Sequence, residues 1–165
     1  MSEEKDHLSG FLKKVGSYAR DFSEGFKKLG HITSDEVFEK LDNIQIKKSQ
    51  YTSEKKVEGL IAEQLEVLYK DKVHTQYGIG GFLHLKIDID LGDGQVGIEL
   101  KLCSELNSSN IERLLGQVLY YSKRKYKENL IVLVVGLEKE YDQTIRELKS
   151  IIEEQGVKFY YLKVS

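Results

Sequence analysis

The segment "LKIDIDLGDGQVGIELKL", residues 85–102, constrains the fold more than any other part of the chain. Asp93 and Gly94 form the dipeptide preferred in a two-residue type I′ hairpin, whose two central positions both need φ > 0. Gly92 then faces Gln95, and counting back sets Leu91 against Val96, Asp90 against Gly97, Ile89 against Ile98, Asp88 against Glu99 and Lys86 against Lys101. This register separates the faces. Leu85, Ile87, Ile89, Leu91, Val96, Ile98, Leu100 and Leu102 share one, while Lys86, Asp88, Asp90, Gln95, Glu99 and Lys101 share the other. A slip of one residue would set Asp88 against Ile98 and mix them.

In that register the Asp88 and Glu99 Cβ atoms lie about 4.5–5.5 Å apart. Like charges directly opposed are destabilising, so something must offset the repulsion. One candidate is a solvated sheet face on which Lys86 and Lys101 act as diagonal partners, an arrangement whose ion pairs contribute little. The other is a hard divalent cation, because Mg²⁺ takes oxygen ligands and often only one or two carboxylates plus waters. The hairpin alone leaves both open.

Around the hairpin the pattern predicts helices and further strands. Ser53 is a suitable N-cap for a helix carrying Val57, Leu60, Ile61, Leu65 and Leu68 as its apolar stripe. From Lys72 to Leu102 the periodicity alternates and glycines punctuate it, which reads as three antiparallel strands. A helix follows from Asn107 or Ser108 to Lys125, and "NLIVLVVG" then has the continuous apolar run of a strand buried on both faces. A helix near 139–155, stopped by Gly156, and the strand "VKFYYLKV" end the chain. The order is αβββαβ with a terminal αβ unit, an α/β class in which a mixed sheet is flanked by helices. Residues 1–50 read as a helical N-terminal extension to a domain spanning 51–165. In it Phe11, Leu12, Val15, Tyr18, Ala19 and Phe22 recur at helical spacing, with Lys13, Lys14 and Arg20 around the turn. Packing on the domain and contact with DNA or a partner protein, including a second copy of the chain, are the alternatives for this extension.

Composition narrows the chemistry. With 165 residues, 32% of them charged, and a formal net charge of −2, the chain is not a wholly basic nucleic-acid coat, so polyanion binding requires a local patch. Cys103 is the lone cysteine, and His7, His31, His74 and His84 lack the close spacing of zinc ligands. No apolar run resembles a signal or membrane-spanning segment, and the reading is a cytoplasmic protein.

Two helices flank the hairpin with polar groups. Glu58 lies beside Val57 and Ile61 at the edge of the first stripe, with Glu54, Glu63 and Glu66 as competing acids. In "SSNIERLLGQVLYYSKRKYK" the apolar positions are Ile111, Leu114, Leu115 and Val118, while Arg113, Gln117, Tyr121 and Arg124 or Lys125 follow one another along a flank. Such a flank suits phosphate contact through Arg and Lys and base or sugar contact through Tyr. Equally, Tyr121 is a packing residue and "KRKYK" a solvated helix end favoured by the helix dipole.

Together these residues resemble the PD-(D/E)XK nuclease superfamily, whose restriction-endonuclease-like core is an αβββαβ arrangement carrying D, a hairpin turn, then E-x-K. Here the motif is Asp88, then Glu99-Leu100-Lys101. "KKVEGLIAEQL" resembles the first helix of archaeal Holliday-junction resolvases, and "QVLYY" resembles the Q-x-x-x-Y motif of the exonuclease branch. Residue 87 is Ile where many members have Pro, and Asp90 competes with Asp88 for the metal-binding role. The resemblance implies a nuclease acting with Mg²⁺ or Mn²⁺ on nucleic acid, with DNA as the expected substrate. It implies that Asp88, Glu99, the Leu100 carbonyl and Glu58 hold the metal. Lys101 would orient the attacking water, and Gln117 and Tyr121 would position the scissile strand. Arg113, Arg124 and Lys125, with Lys123 and Lys127 nearby, would contact phosphates. The alternative is a binding or interaction module on the same fold without chemistry.

Overall fold

A computed structural model describes residues 30–81 and 83–165. The expected helix around Phe11–Phe22 lies outside the described residues. Ile32–Ser165 form one compact unit. Its elements are α1 (Ser34–Leu41), α2 (Glu54–Tyr69), β1 (Val73–Gly78), β2 (Lys86–Leu91), β3 (Val96–Leu102), α3 (Ser108–Tyr121), β4 (Leu130–Gly136), α4 (Gln143–Glu154) and β5 (Lys158–Lys163).

The five strands form one mixed sheet in the order β1-β2-β3-β4-β5. The first two pairings are antiparallel, and β3/β4 and β4/β5 are parallel. Helices α3 and α4 make the crossovers that parallel neighbours require. Alternate residues of β4 therefore serve two cores. Ile131, Leu133 and Val135 join Val37 and Leu41 of α1 and Val57, Ile61 and Leu65 of α2. Leu130, Val132 and Val134 join Leu114 and Val118 of α3 and Ile145, Leu148 and Ile152 of α4. The result is a sheet between two helical layers, and no described helix is long and apolar enough to cross a membrane.

Local signals act where the sequence places them. Ser53 caps α2 by accepting from Lys56 N at 3.3 Å, Asn107 caps α3 through Asn110 N at 3.0 Å, and Asp142 caps α4 through Ile145 N at 3.1 Å. Asp93 and Gly94 have φ of 56° and 93°, and β2 pairs β3 as Ile89↔Ile98, Asp90↔Gly97 and Leu91↔Val96. The hairpin register is the one the faces require.

Several expectations need correction. The boundary expected at residue 50 lies inside the compact unit, because Ile32, Val37, Leu41, Ile44 and Ile46 are buried in the α2 side of the core. Their apolar positions are few but all on one side of a short helix and its exit, which is enough to dock it. Leu68 is 51% exposed, and Tyr69, one turn after Leu65, closes the α2 stripe instead. The α-helix after β3 ends at Tyr121, and residues Ser122–Tyr126 form a wider π turn.

The largest difference is at Asp88. The β2–β3 ladder stops at Ile89↔Ile98, so Asp88/Glu99 and Lys86/Lys101 are not ladder pairs. On the other edge, β1 pairs β2 at Thr75↔Ile89 and Tyr77↔Ile87 but not at the position between, where Gln76 has φ 52°. Ile87 consequently packs on the α3/α4 side and Ile89 on the α1/α2 side, although strict alternation would put them together. Nor is the polar face solvated: Asp88, Asp90 and Glu99 are 7%, 0% and 1% exposed.

Candidate functional site

Burying four carboxylates, those of Asp88, Asp90, Glu99 and Glu58, demands partners, because an isolated charge in a protein interior is costly. Asp90 finds its own. Its Oδ1 accepts from Tyr126 Oη at 2.7 Å and its Oδ2 from Gly94 N at 3.0 Å. The π turn places Tyr126 there, and the lack of a side chain at Gly97 admits the ring, since a Cβ would come within 2.7 Å of it. Burial raises the Asp90 carboxyl above its ordinary range, while Tyr126 and Gly94 pull it back down. Both oxygens of Asp90 are thus engaged in fixing the hairpin to the π turn.

Asp88 belongs to a different group. Its Oδ2 accepts from Leu100 N at 2.7 Å, so the carboxylate takes up a strand N–H where the β2–β3 ladder has ended. Its Oδ1 accepts from Gln76 Nε2 at 3.1 Å, and the same amide donates to Glu58 Oε2 at 2.7 Å. The reversed backbone at Gln76 is therefore tied to a side chain that bridges two acids.

Lys101 stands at the centre. Its Nζ lies 2.7 Å from Leu100 O, 2.9 Å from Glu99 Oε1, 3.3 Å from Glu54 Oε1 and 3.7 Å from Asp88 Oδ2. Burial alone would favour a neutral amine, but Glu99, Asp88 and Glu54 outweigh it and hold the ammonium protonated. Glu99 responds the other way. Burial, reinforced by Asp88, pushes its carboxyl up to about 8 against the opposing pull of Lys101. Burial likewise raises the Glu54 and Glu58 carboxyls. Glu99 Oε2 is buried with no hydrogen-bond partner, as is Gln117 Oε1.

The sequence-predicted residues thus divide. Asp88, Glu99, Leu100 O and Lys101 come together at one point, whereas Glu58 joins them through Gln76. Glu54, a competing acid by sequence, touches Lys101 directly. Gln76 has no signal in the sequence, because its role comes from a backbone conformation that non-glycine residues rarely adopt. Among the described residues no three His, Cys, Asp or Glu side chains are placed to hold a metal by themselves. The Lys101 ammonium and the Gln76 amide are interposed between the acids.

On α3, Tyr121 is 0% exposed and cannot offer its ring to a base or sugar, which corrects that part of the expectation. Its hydroxyl donates to Lys86 O at 2.9 Å and accepts from Gln117 Nε2 at 3.2 Å. Burial, with Glu99 nearby, holds the phenol protonated. Arg113, Lys123, Arg124 and Lys127 are exposed, while Lys125 is half-buried with its ammonium 4.7 Å from the centre of the Tyr77 ring. Comparison with protein-family models, with curated proteins and with solved structures finds no match to this chain.

Proposed function

We propose that the chain is a divalent-metal-dependent nuclease on a restriction-endonuclease-like core, hydrolysing phosphodiester bonds in DNA. One observation carries the reading: four oxygens, from Asp88, Glu99, Glu54 and the Leu100 carbonyl, converge on a single positive centre, the Lys101 ammonium, at 2.7–3.7 Å. A site that already gathers hard oxygen donors around a cation suits Mg²⁺ or Mn²⁺, which need only one or two carboxylates with waters completing the shell. The unpartnered Glu99 Oε2 points the same way, since a buried acceptor without a donor is costly unless a cation or water satisfies it. The helix, three strands, helix, strand order with β3 and β4 parallel supports the core assignment.

Asp88, Glu99 and Leu100 O would hold the ion, with Glu58 reaching it through the position of Gln76. When bound, such an ion polarises a phosphate oxygen and lowers the pKa of a coordinated water. With an ion held there, Lys101 would keep its proton and would donate hydrogen bonds to the attacking water and to charge developing on the phosphate oxygens. Tyr121 acts as a positioning residue: its hydroxyl fixes Gln117 against the Lys86 carbonyl. Arg113, Arg124, Lys123 and Lys127 offer exposed charge for strand phosphates. The lone Cys103 thiol supports a cytoplasmic setting.

The closed Lys101 network favours a second reading, a DNA-binding or protein-interaction module in which the ammonium permanently replaces the metal. Incubating single-stranded, duplex and branched DNA with Mg²⁺ or Mn²⁺ separates the two. Cleavage by the wild type, reduced at least about 10²-fold in Lys101→Ala with the circular dichroism spectrum unchanged, is expected. Equal cleavage by the variant would sink the assignment, and DNA binding without cleavage by the wild type would favour the module.

A further inference from the structure

On the α4 side of the sheet, near the carboxyl ends of β4 and β5, a cleft of about 410 Å³ is lined by Tyr141, Arg146, Lys149, Phe159, Tyr161 and Lys163, together with Glu138. This volume falls in the range of small-molecule sites. None of these residues belongs to the Asp88–Lys101 group.

The cleft has two kinds of wall. One is aromatic. Phe159 and Tyr161 alternate along β5 and so face the same way, and Tyr141 meets Tyr161 edge-to-face at 4.7 Å between ring centres. The Tyr161 hydroxyl donates to Leu137 O at 2.7 Å, which fixes the ring. The other wall is cationic. Arg146 and Lys149 are three residues apart on α4 and project along one flank, while Lys163 approaches from the end of β5. Two carboxylates temper this charge: Glu138 pairs with Lys163 at 2.8 Å and Glu153 with Lys149 at 3.9 Å. Arg146 makes no ion pair among the described residues, and its guanidinium lies 5.8 Å from the centre of the Tyr141 ring. An unpaired guanidinium beside fixed aromatic rings recognises a planar ring joined to an anion, because stacking takes any base and the fork takes phosphate oxygens.

We propose that this cleft binds a nucleoside 5′-phosphate, with the base against the half-buried rings of Tyr141 and Tyr161, over a floor closed by the buried Phe159, and the phosphate against Arg146, Lys149 and Lys163. The nucleotide is either free or the first residue of a strand. Binding here is independent of the metal-site reading and is tested in EDTA, which removes any metal, while the Arg146 and Lys149 variants separate it from DNA held by the exposed cations of α3 and the turn after it. The full chain is titrated calorimetrically with AMP, adenosine, inorganic phosphate, and a short oligonucleotide with or without a 5′-phosphate. Binding of AMP at least about tenfold tighter than adenosine or phosphate assigns a free nucleotide. Binding of the 5′-phosphorylated oligonucleotide over its 5′-hydroxyl form, with AMP silent, assigns the strand terminus. In either case Arg146→Gln/Lys149→Gln should weaken binding about tenfold with the thermal transition unchanged, and Tyr141→Leu should weaken it by removing the ring. No binding of any probe, equal binding of AMP and phosphate, or indifference to both variants overturns the proposal.

Discussion

Lys101 Nζ stands 2.9 Å from Glu99 Oε1, yet the Glu99 carboxyl is shifted toward its neutral form, because burial and Asp88 together outweigh the ammonium. The native value of about 8 lies above the ordinary 4.5, so the folded chain holds the extra proton. This contribution to stability is fully present below about pH 4.5 and is lost as pH rises through about 8. Without divalent cations, urea unfolding should show stability falling by roughly a few kcal/mol across that window. Glu99→Gln should flatten the profile; an equally steep profile in the variant would assign the titration elsewhere.

If the proposed site takes a metal, the ion would have to displace that proton. Affinity for Mg²⁺ should therefore rise between pH 6 and 9, with protons released on binding. A cation at about one hundred times its dissociation constant adds about 2.7 kcal/mol to stability, readable as an upward thermal shift. Asp88→Asn and Glu99→Gln should each lose the shift, whereas Asp90→Asn should keep it, because Asp90 is bound by Tyr126 and Gly94. A shift lost in Asp90→Asn but retained in Asp88→Asn would exchange their roles.

Gln76 neutrally bridges Glu58 and Asp88. Gln76→Glu would insert a third carboxylate there, costing about 1–3 kcal/mol at pH 7 through a lost donor and added repulsion. Added Mg²⁺ should recover part of the loss, and differential unfolding with and without the ion measures it. No recovery would mean that the ion does not sit among these acids.

Asp90 depends on a ring that only glycine admits. Tyr126→Phe removes the hydroxyl from a buried carboxylate and should cost about 1–3 kcal/mol. Gly97→Ala, which forces the ring away, should cost at least as much, and the double variant should cost less than the sum, because both break the same contact. Additive losses in denaturant melts would separate the two effects.

The segment expected outside the domain is tested by truncating one side chain. Leu41 is 0% exposed, and Leu41→Ala should cost about 2–5 kcal/mol. A loss below about 0.5 kcal/mol, typical of surface positions, would return residues 32–50 to the role of appendage.

What the sequence reveals here is what short-range chemistry decides. The Asp93-Gly94 turn fixes the hairpin register because φ > 0 is needed at both positions, and Ser53, Asn107 and Asp142 mark helix starts because their oxygens meet the first free N–H groups. That register brings Asp88, Glu99 and Lys101 near one another, but their contacts form beyond its last ladder pair, Ile89↔Ile98. What escapes it depends on the third dimension. Alternation assigns Asp88 to a regular face, but the ladder ends there and its carboxylate takes the Leu100 N–H instead. Tyr121 carries the same period as Gln117, yet its ring is drawn into the core that Val118 and Leu114 begin. Glu54 is indistinguishable from Glu58 until Lys101 chooses between them.

Gln76 also has a consequence for the solubility of the fold. It lies in β1, at one edge of the sheet, where an uninterrupted row of N–H and C=O groups would invite strand addition from another molecule. A residue with φ 52° in the middle of a six-residue strand breaks that row. The distortion that brings an amide to two carboxylates thereby also blunts the edge against aggregation.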